Sequence, residues 1–127
     1  MPSTVYVHLV WKIRVQSPEL DASAAAVLTK LLPALARKHG ATLLEVSILQ
    51  DHVHTLLLLP PVVDIPRLVQ GLKGASSRIL NRDRGDAPRP FRWASGYSLH
   101  SVSPRAREAV ARYIRNQRLR HPLSIPR

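Results

Sequence analysis

The 127-residue chain has no cysteine, which excludes disulfides and thiolate metal sites and is compatible with a reducing compartment. Methionine and phenylalanine occur once each and tryptophan twice. No apolar run approaches the length of a membrane span, and the opening "MPSTVYVHLVWKIRV" lacks the long apolar core and small-residue cleavage pattern of a secretory signal. A soluble, cytoplasmic protein is expected. Internal repeats, linkers and low-complexity tracts are also missing, so the length fits one domain over residues 1–127, able to build a core yet small enough to gain from a partner subunit.

Acidic residues are few: eight, against nineteen Lys and Arg, for a net charge of +11. The imbalance is local. Up to Pro60 there are five basic and four acidic residues, whereas from Pro61 onward there are fourteen and four, and thirteen of those fourteen are arginine. The arginine fork suits phosphate oxygens and its flat face stacks on bases, so a polyanion is the leading partner. A solvated basic surface, or arginine enriched by GC-rich coding, accounts for the same charge, and charge does not choose DNA over RNA.

What is present is a folded pattern, with 45% of residues hydrophobic. "TVYVHLVWKIRV" is rich in β-branched and aromatic residues and reads as a first strand. From Ala22 to His39, Leu28, Leu31, Leu32 and Leu35 form one helical stripe, with Gly40 at the C-cap. "ATLLEVSILQ" and "HVHTLLLL" are two strands joined tightly around Gln50 and Asp51, hence an antiparallel pair. Asp64 can cap a second helix with Pro66 in its first turn, ending near "NRDRGDAPRP", the segment expected to be mobile. A short strand lies within "FRWASGYSLHSV". Ser103 and Pro104 then start a last helix that runs to Pro122. The expected class is α+β: a ferredoxin-like βαββαβ sandwich, two helices covering one sheet face, with an added C-terminal helix.

Two histidines open the third strand. Residues i and i+2 of a strand share a side, so His52 and His54 present neighbouring imidazoles on a rigid, central element. Such a pair can ligate a metal or do no more than hydrogen-bond. On the last helix Tyr113 and Gln117 lie one turn apart on one face, among Arg105, Arg107, Arg112, Arg115, Arg118 and Arg120. That is a phosphate-handling element or a half-buried core tyrosine with a basic exterior.

Taken together, "HVH" and "YIRNQ" resemble the histidine–hydrophobe–histidine motif and the tyrosine helix of IS200/IS605-type transposases. These are single-tyrosine (Y1) members of the HUH nuclease superfamily, which includes REP-associated tyrosine transposases. "YVHLVWKIR", "LVQGLKGASSRILN" and "FRWASGYSLHSVSPRAREAVARYIRNQ" are similar to the family's opening strand, second helix and aromatic–glycine–tyrosine segment, in the right order over nearly the whole chain. The resemblance implies that His52, His54 and Gln117 are metal ligands and that Tyr113 is the nucleophile. It also implies single-stranded DNA next to hairpins as substrate, and a homodimer in which the tyrosine can act in trans. The chain departs from the family at Gln50-Asp51, where a Pro-Asn turn is common; Asp51 is an extra or substitute ligand, or a turn residue.

The chemistry matches these residue types. A tyrosine hydroxyl with a pKa near 10 is a poor nucleophile until its proton is lost or the developing charge is stabilised. A neutral ligand set meeting phosphate oxygens admits Mg²⁺ or Mn²⁺. Arg112, Arg115 and Arg118 are candidates for the DNA backbone, and Lys73 and Arg78 for a hairpin stem. Trp93 and Tyr97, ahead of Trp11, are candidates for stacking on unpaired bases. His8, His39, His100 and His121 have no informative spacing. Three other readings compete: a non-catalytic single-stranded DNA or hairpin-binding protein or repressor on this fold, a ferredoxin-like interaction protein, and a histidine-dependent phosphohydrolase.

Overall fold

The computed structural model describes residues 5–127. Four strands, β1 (Val5–Lys12), β2 (Thr42–Ile48), β3 (His52–Leu59) and β4 (Ser98–Val102), form one sheet in the order β2-β3-β1-β4, with every neighbouring pair antiparallel. Helices α1 (Ala22–Lys38) and α2 (Ile65–Arg84) make the two crossovers. This is the expected ferredoxin-like sandwich. The expected start of β1 at Thr4 lies outside the described residues. Its end comes at Lys12 rather than Val15, because Ile13 and Arg14 turn their amides to Asp51 and Arg92 and leave the ladder.

Local chemistry sets the helix ends. Asp21 accepts from the Ala24 amide at 2.8 Å and Asp64 from the Arg67 amide at 3.1 Å, each satisfying an orphan donor of a first turn. After α1, Gly40 takes φ +81°, the left-handed conformation that closes a helix at little cost only for glycine. Beneath the sheet, Leu28, Leu32, Leu68, Val69 and Leu72 pack on Val7, Leu9, Trp11, Val53 and Leu57. Each such aliphatic side chain contributes about 1.5–3 kcal/mol on full burial.

The other face is covered in part by α3 (Arg107–Arg115), entered through a 3-10 turn at Pro104–Ala106. Ala111 and Ile114 pack against Tyr6, Leu56 and Val102. A register shift between Leu43 and Glu45 makes β2 bulge there; Leu44 joins this cluster while Glu45 pairs with Arg115 of α3.

One expectation is corrected. The last helix is not continuous: it breaks at Asn116 (φ −86°, ψ 1°) and resumes as α4 (Gln117–Arg120). Asparagine favours such a break, and the Gln117 side chain donates to the Tyr113 carbonyl at 3.0 Å, competing with the backbone ladder. The segment at residues 81–90 makes hydrogen bonds of its own. Asn81 brackets the Phe91 backbone from both sides (2.6 and 2.9 Å), and Arg84 donates to the Arg89 carbonyl at 3.0 Å. Among the described residues no helix is long and apolar enough to cross a membrane.

Candidate active site

The free-standing face of the sheet carries the chemistry. His52 and His54 project from it side by side, their Nε2 atoms 3.1 Å apart. Each ring is anchored at its other nitrogen, His52 Nδ1 by Asp51 Oδ1 at 2.6 Å and His54 Nδ1 by His8 Nε2 at 3.0 Å. Register explains the last contact: β1 pairs Val10 with His54 and His8 with Leu56, so His8 is the diagonal neighbour of His54 on the same face. The burial of His54 pushes its pKa down to about 4, with His52, His8 and His121 adding in the same direction. His8 is also shifted down, first by burial and then by His100. Both rings are therefore neutral near pH 7.

Tyr113 reaches this cluster from α3. Its ring stands edge-on to His54, with centroids 5.9 Å apart, and to His8 at 6.0 Å, and it is 41% exposed. The guanidinium of Arg120 lies 5.5 Å from the phenol ring centre. The phenol is thus accessible while its ring packs against both imidazoles.

The site fits a divalent cation. Two ligands on adjacent octahedral positions with bonds of about 2.1 Å stand about 3.0 Å apart, close to the spacing of the two Nε2 atoms. Neutral imidazoles with anchored Nδ1 atoms are the form that ligates. The Ser47 hydroxyl, directly across from His54 in the β2–β3 ladder, is buried with no hydrogen-bond partner, as expected beside a site that receives a further polar group. Among the described residues no three His, Cys, Asp or Glu side chains form a group that could hold a metal ion. Gln117 is 2% exposed and donates from Nε2 to the Tyr113 carbonyl at 3.0 Å.

The family model described as "Transposase IS200 like" matches residues 2–117. The chain belongs to the IS200-like transposase family. It is 29% identical over 114 residues to the ISDra2 transposase TnpA of Deinococcus radiodurans, covering 87% of this chain and 81% of that protein. It is 26% identical over 127 residues to the transposase of insertion sequence IS200 from Salmonella typhimurium, covering 94% and 83%. Among solved structures, a candidate transposase from D. radiodurans R1 superposes with a TM-score of 0.72 at 29% identity, covering 91% of this chain and 92% of that one. A REP-associated tyrosine transposase bound to a REP hairpin also gives 0.72, at 13% identity, with 92% and 68% covered, a likeness of fold alone.

The remaining candidate residues of this transposase divide by position. Tyr97, 42% exposed, lines a groove of about 770 Å³ that includes Lys12, Arg14, Gly96 and Ser98 and opens onto Asp51 and His52. Arg112, Arg118 and Arg78 are exposed. Three expectations change. Trp93, 8% exposed, is core: it packs edge-on against Trp11 and Phe91 and donates from Nε1 to Ser76 at 3.0 Å, so it offers no stacking face, and Trp11 is buried with it. Lys73 spends its ammonium on the carbonyls of Ala94 (2.7 Å) and Gly96 (2.9 Å), which holds the groove rim rather than a hairpin stem. Arg115 is engaged with Glu45 at 2.9 Å. Asp51 contacts His52 through Oδ1 at Nδ1 (2.6 Å), the ring nitrogen turned away from His54.

His8, Ser47, Lys12 and Arg14 were not identified from spacing. For His8 the available signal was its parity: in β1 it shares a face with Tyr6 and Val10, which the pairing of β1 with β3 turns toward the histidines.

Proposed function

We propose that this transposase cleaves and rejoins single-stranded DNA near hairpins through a 5′-phosphotyrosine at Tyr113, with Mg²⁺ or Mn²⁺ as cofactor. The observation that carries the reading is the approach of an accessible tyrosine to the paired imidazoles, with 5.9 Å between the ring centres of Tyr113 and His54. A hairpin substrate is supported by the fold neighbour solved with a REP hairpin bound.

In this reading His52, His54 and the amide oxygen of Gln117 would hold the cation, which would supply charge to neutralise that growing on the scissile phosphate. The phenolate oxygen of Tyr113, its proton lost to solvent, forms a bond to phosphorus. The bond from phosphorus to the 3′ oxygen breaks, and that oxygen leaves and takes up a proton. The 5′ phosphate stays on the tyrosine, so the phosphodiester energy is retained. A 3′ hydroxyl from another strand reverses the step and releases Tyr113. Arg112 and Arg118 meet the backbone, and unpaired bases lie in the groove beside His52 with Tyr97 as a stacking face. The same site is completed in trans if a homodimer exchanges its tyrosine helices.

The test incubates wild-type protein and Tyr113→Phe with end-labelled single-stranded hairpins from the flanks of the gene, in Mg²⁺ and in Mn²⁺, and scores adducts that survive denaturation. A metal-dependent adduct formed by wild type alone is expected. An equal adduct with Tyr113→Phe overturns the role of the tyrosine. Binding without an adduct favours a repressor-like protein, and free phosphorylated product without an adduct favours a phosphohydrolase.

A further inference from the structure

We propose that His8 is a positioning residue that selects the tautomer of His54, and thereby decides whether the Nε2 atom of His54 can ligate. The inference rests on the metal-site reading above and deepens it. Three contacts form a chain: Asp51 Oδ1 to His52 Nδ1 (2.6 Å), His52 Nε2 to His54 Nε2 (3.1 Å), and His54 Nδ1 to His8 Nε2 (3.0 Å).

The two ends of the chain differ in kind. An ionised carboxylate only accepts, so Asp51 places the His52 proton on Nδ1 and leaves Nε2 with a free lone pair. At the other end stands an imidazole, which both donates and accepts. If His8 donates from Nε2, then His54 accepts at Nδ1 and carries its proton on Nε2, aimed at His52; all three hydrogen bonds are made and ligation by His54 is blocked. If His8 instead carries its proton on Nδ1, its Nε2 accepts from His54 Nδ1–H, and both Nε2 lone pairs are free.

Passing from one arrangement to the other conserves protons. His54 Nε2–H is released to solvent, His54 Nδ1 takes the proton of His8 Nε2, and half-buried His8 regains one from solvent on Nδ1. The rings of His8 and His54 lie nearly in one plane, with centroids 5.2 Å apart and planes 23° from parallel, so the two nitrogens face each other for the exchange. Metal-ligating histidines are commonly oriented by a carboxylate or carbonyl, which fixes one tautomer. An imidazole in that position makes the choice reversible.

The test reads tautomers directly. Nitrogen-15 NMR of the wild-type protein, in mildly alkaline buffer without and with Mg²⁺, assigns the protonated nitrogen of His8 and His54. Both are expected to move from Nε2–H to Nδ1–H on adding Mg²⁺. In parallel, Mn²⁺ affinity is titrated for His8→Phe, which keeps an aromatic ring but no nitrogen, and His8→Gln, whose amide both donates and accepts. A loss of about 10–100-fold is expected for His8→Phe, with recovery to within a few-fold for His8→Gln. A His8 tautomer indifferent to Mg²⁺, or His8→Phe binding Mn²⁺ as tightly as wild type, overturns the assignment. A correct tautomer shift in a wild-type protein that forms no DNA adduct supports His8 while sinking the proposed reaction; an adduct together with indifferent tautomers does the reverse.

Discussion

Arg115 donates from Nη1 to Oε2 of Glu45 at 2.9 Å, tying the helix that carries Tyr113 to the bulged strand across the sheet from His8. The arginine is about half exposed, so the pair contributes on the order of 0–1 kcal/mol to folding. Its effect is directional. Glu45→Ala is expected to leave the melting temperature nearly unchanged and to release Arg115 to DNA, so the salt dependence of binding is retained or steepened. Arg112→Ala and Arg118→Ala should each flatten that salt slope by about one charge. Affinity measured across a salt series separates the three.

The two aromatic residues before β4 have opposite roles. Trp93→Ala opens the core beside Trp11 and Phe91 and removes the donor to Ser76 Oγ; a loss of about 3–5 kcal/mol in denaturant unfolding is expected. Tyr97→Ala should unfold like wild type while weakening single-stranded DNA binding by about 1–3 kcal/mol, read by fluorescence anisotropy.

Lys73→Met removes the donor that joins the Ala94 and Gly96 carbonyls. Neither carbonyl then has its charged partner, and the cost is about 1–3 kcal/mol. Limited proteolysis should show new cleavage near residues 94–97, and DNA affinity should fall by way of Tyr97.

Asp51→Asn keeps the size of the side chain but can turn a donor toward His52 Nδ1. Mn²⁺ affinity is expected to drop about 10–100-fold with the fold unchanged, by calorimetry and circular dichroism. Unaltered affinity would show that the carboxylate does not orient the ring.

In chelator, stability should fall on acidification. His54 titrates at about 4 when folded and near 6.5 when unfolded, so below 6.5 the unfolded chain binds the extra proton. The contribution is complete above pH 6.5 and is lost as pH drops from 6.5 toward 4. Urea midpoints across that range should decline for wild type and decline less for His54→Leu.

Much of the architecture was legible in one dimension because local backbone geometry sets it. Strand period puts His52 and His54 on one side, and Asp64 and Gly40 mark helix ends by the hydrogen bond and dihedral they supply. Those features depend on residues a few positions apart. Which residue lies across from which does not. His8 meets His54 over 46 positions only because the core-facing pattern of β1 and β3 sets their register, and a slip of one residue would turn His8 to the other face. The same dependence on packing sent Trp93 inward, spent Lys73 on two carbonyls and engaged Arg115 with Glu45, since burial and pairing are properties of the whole fold. The sequence by itself determined the element order and the parity of the motif residues; the tertiary structure alone decided which imidazole stands behind the pair, because cross-strand register is set by the whole sheet.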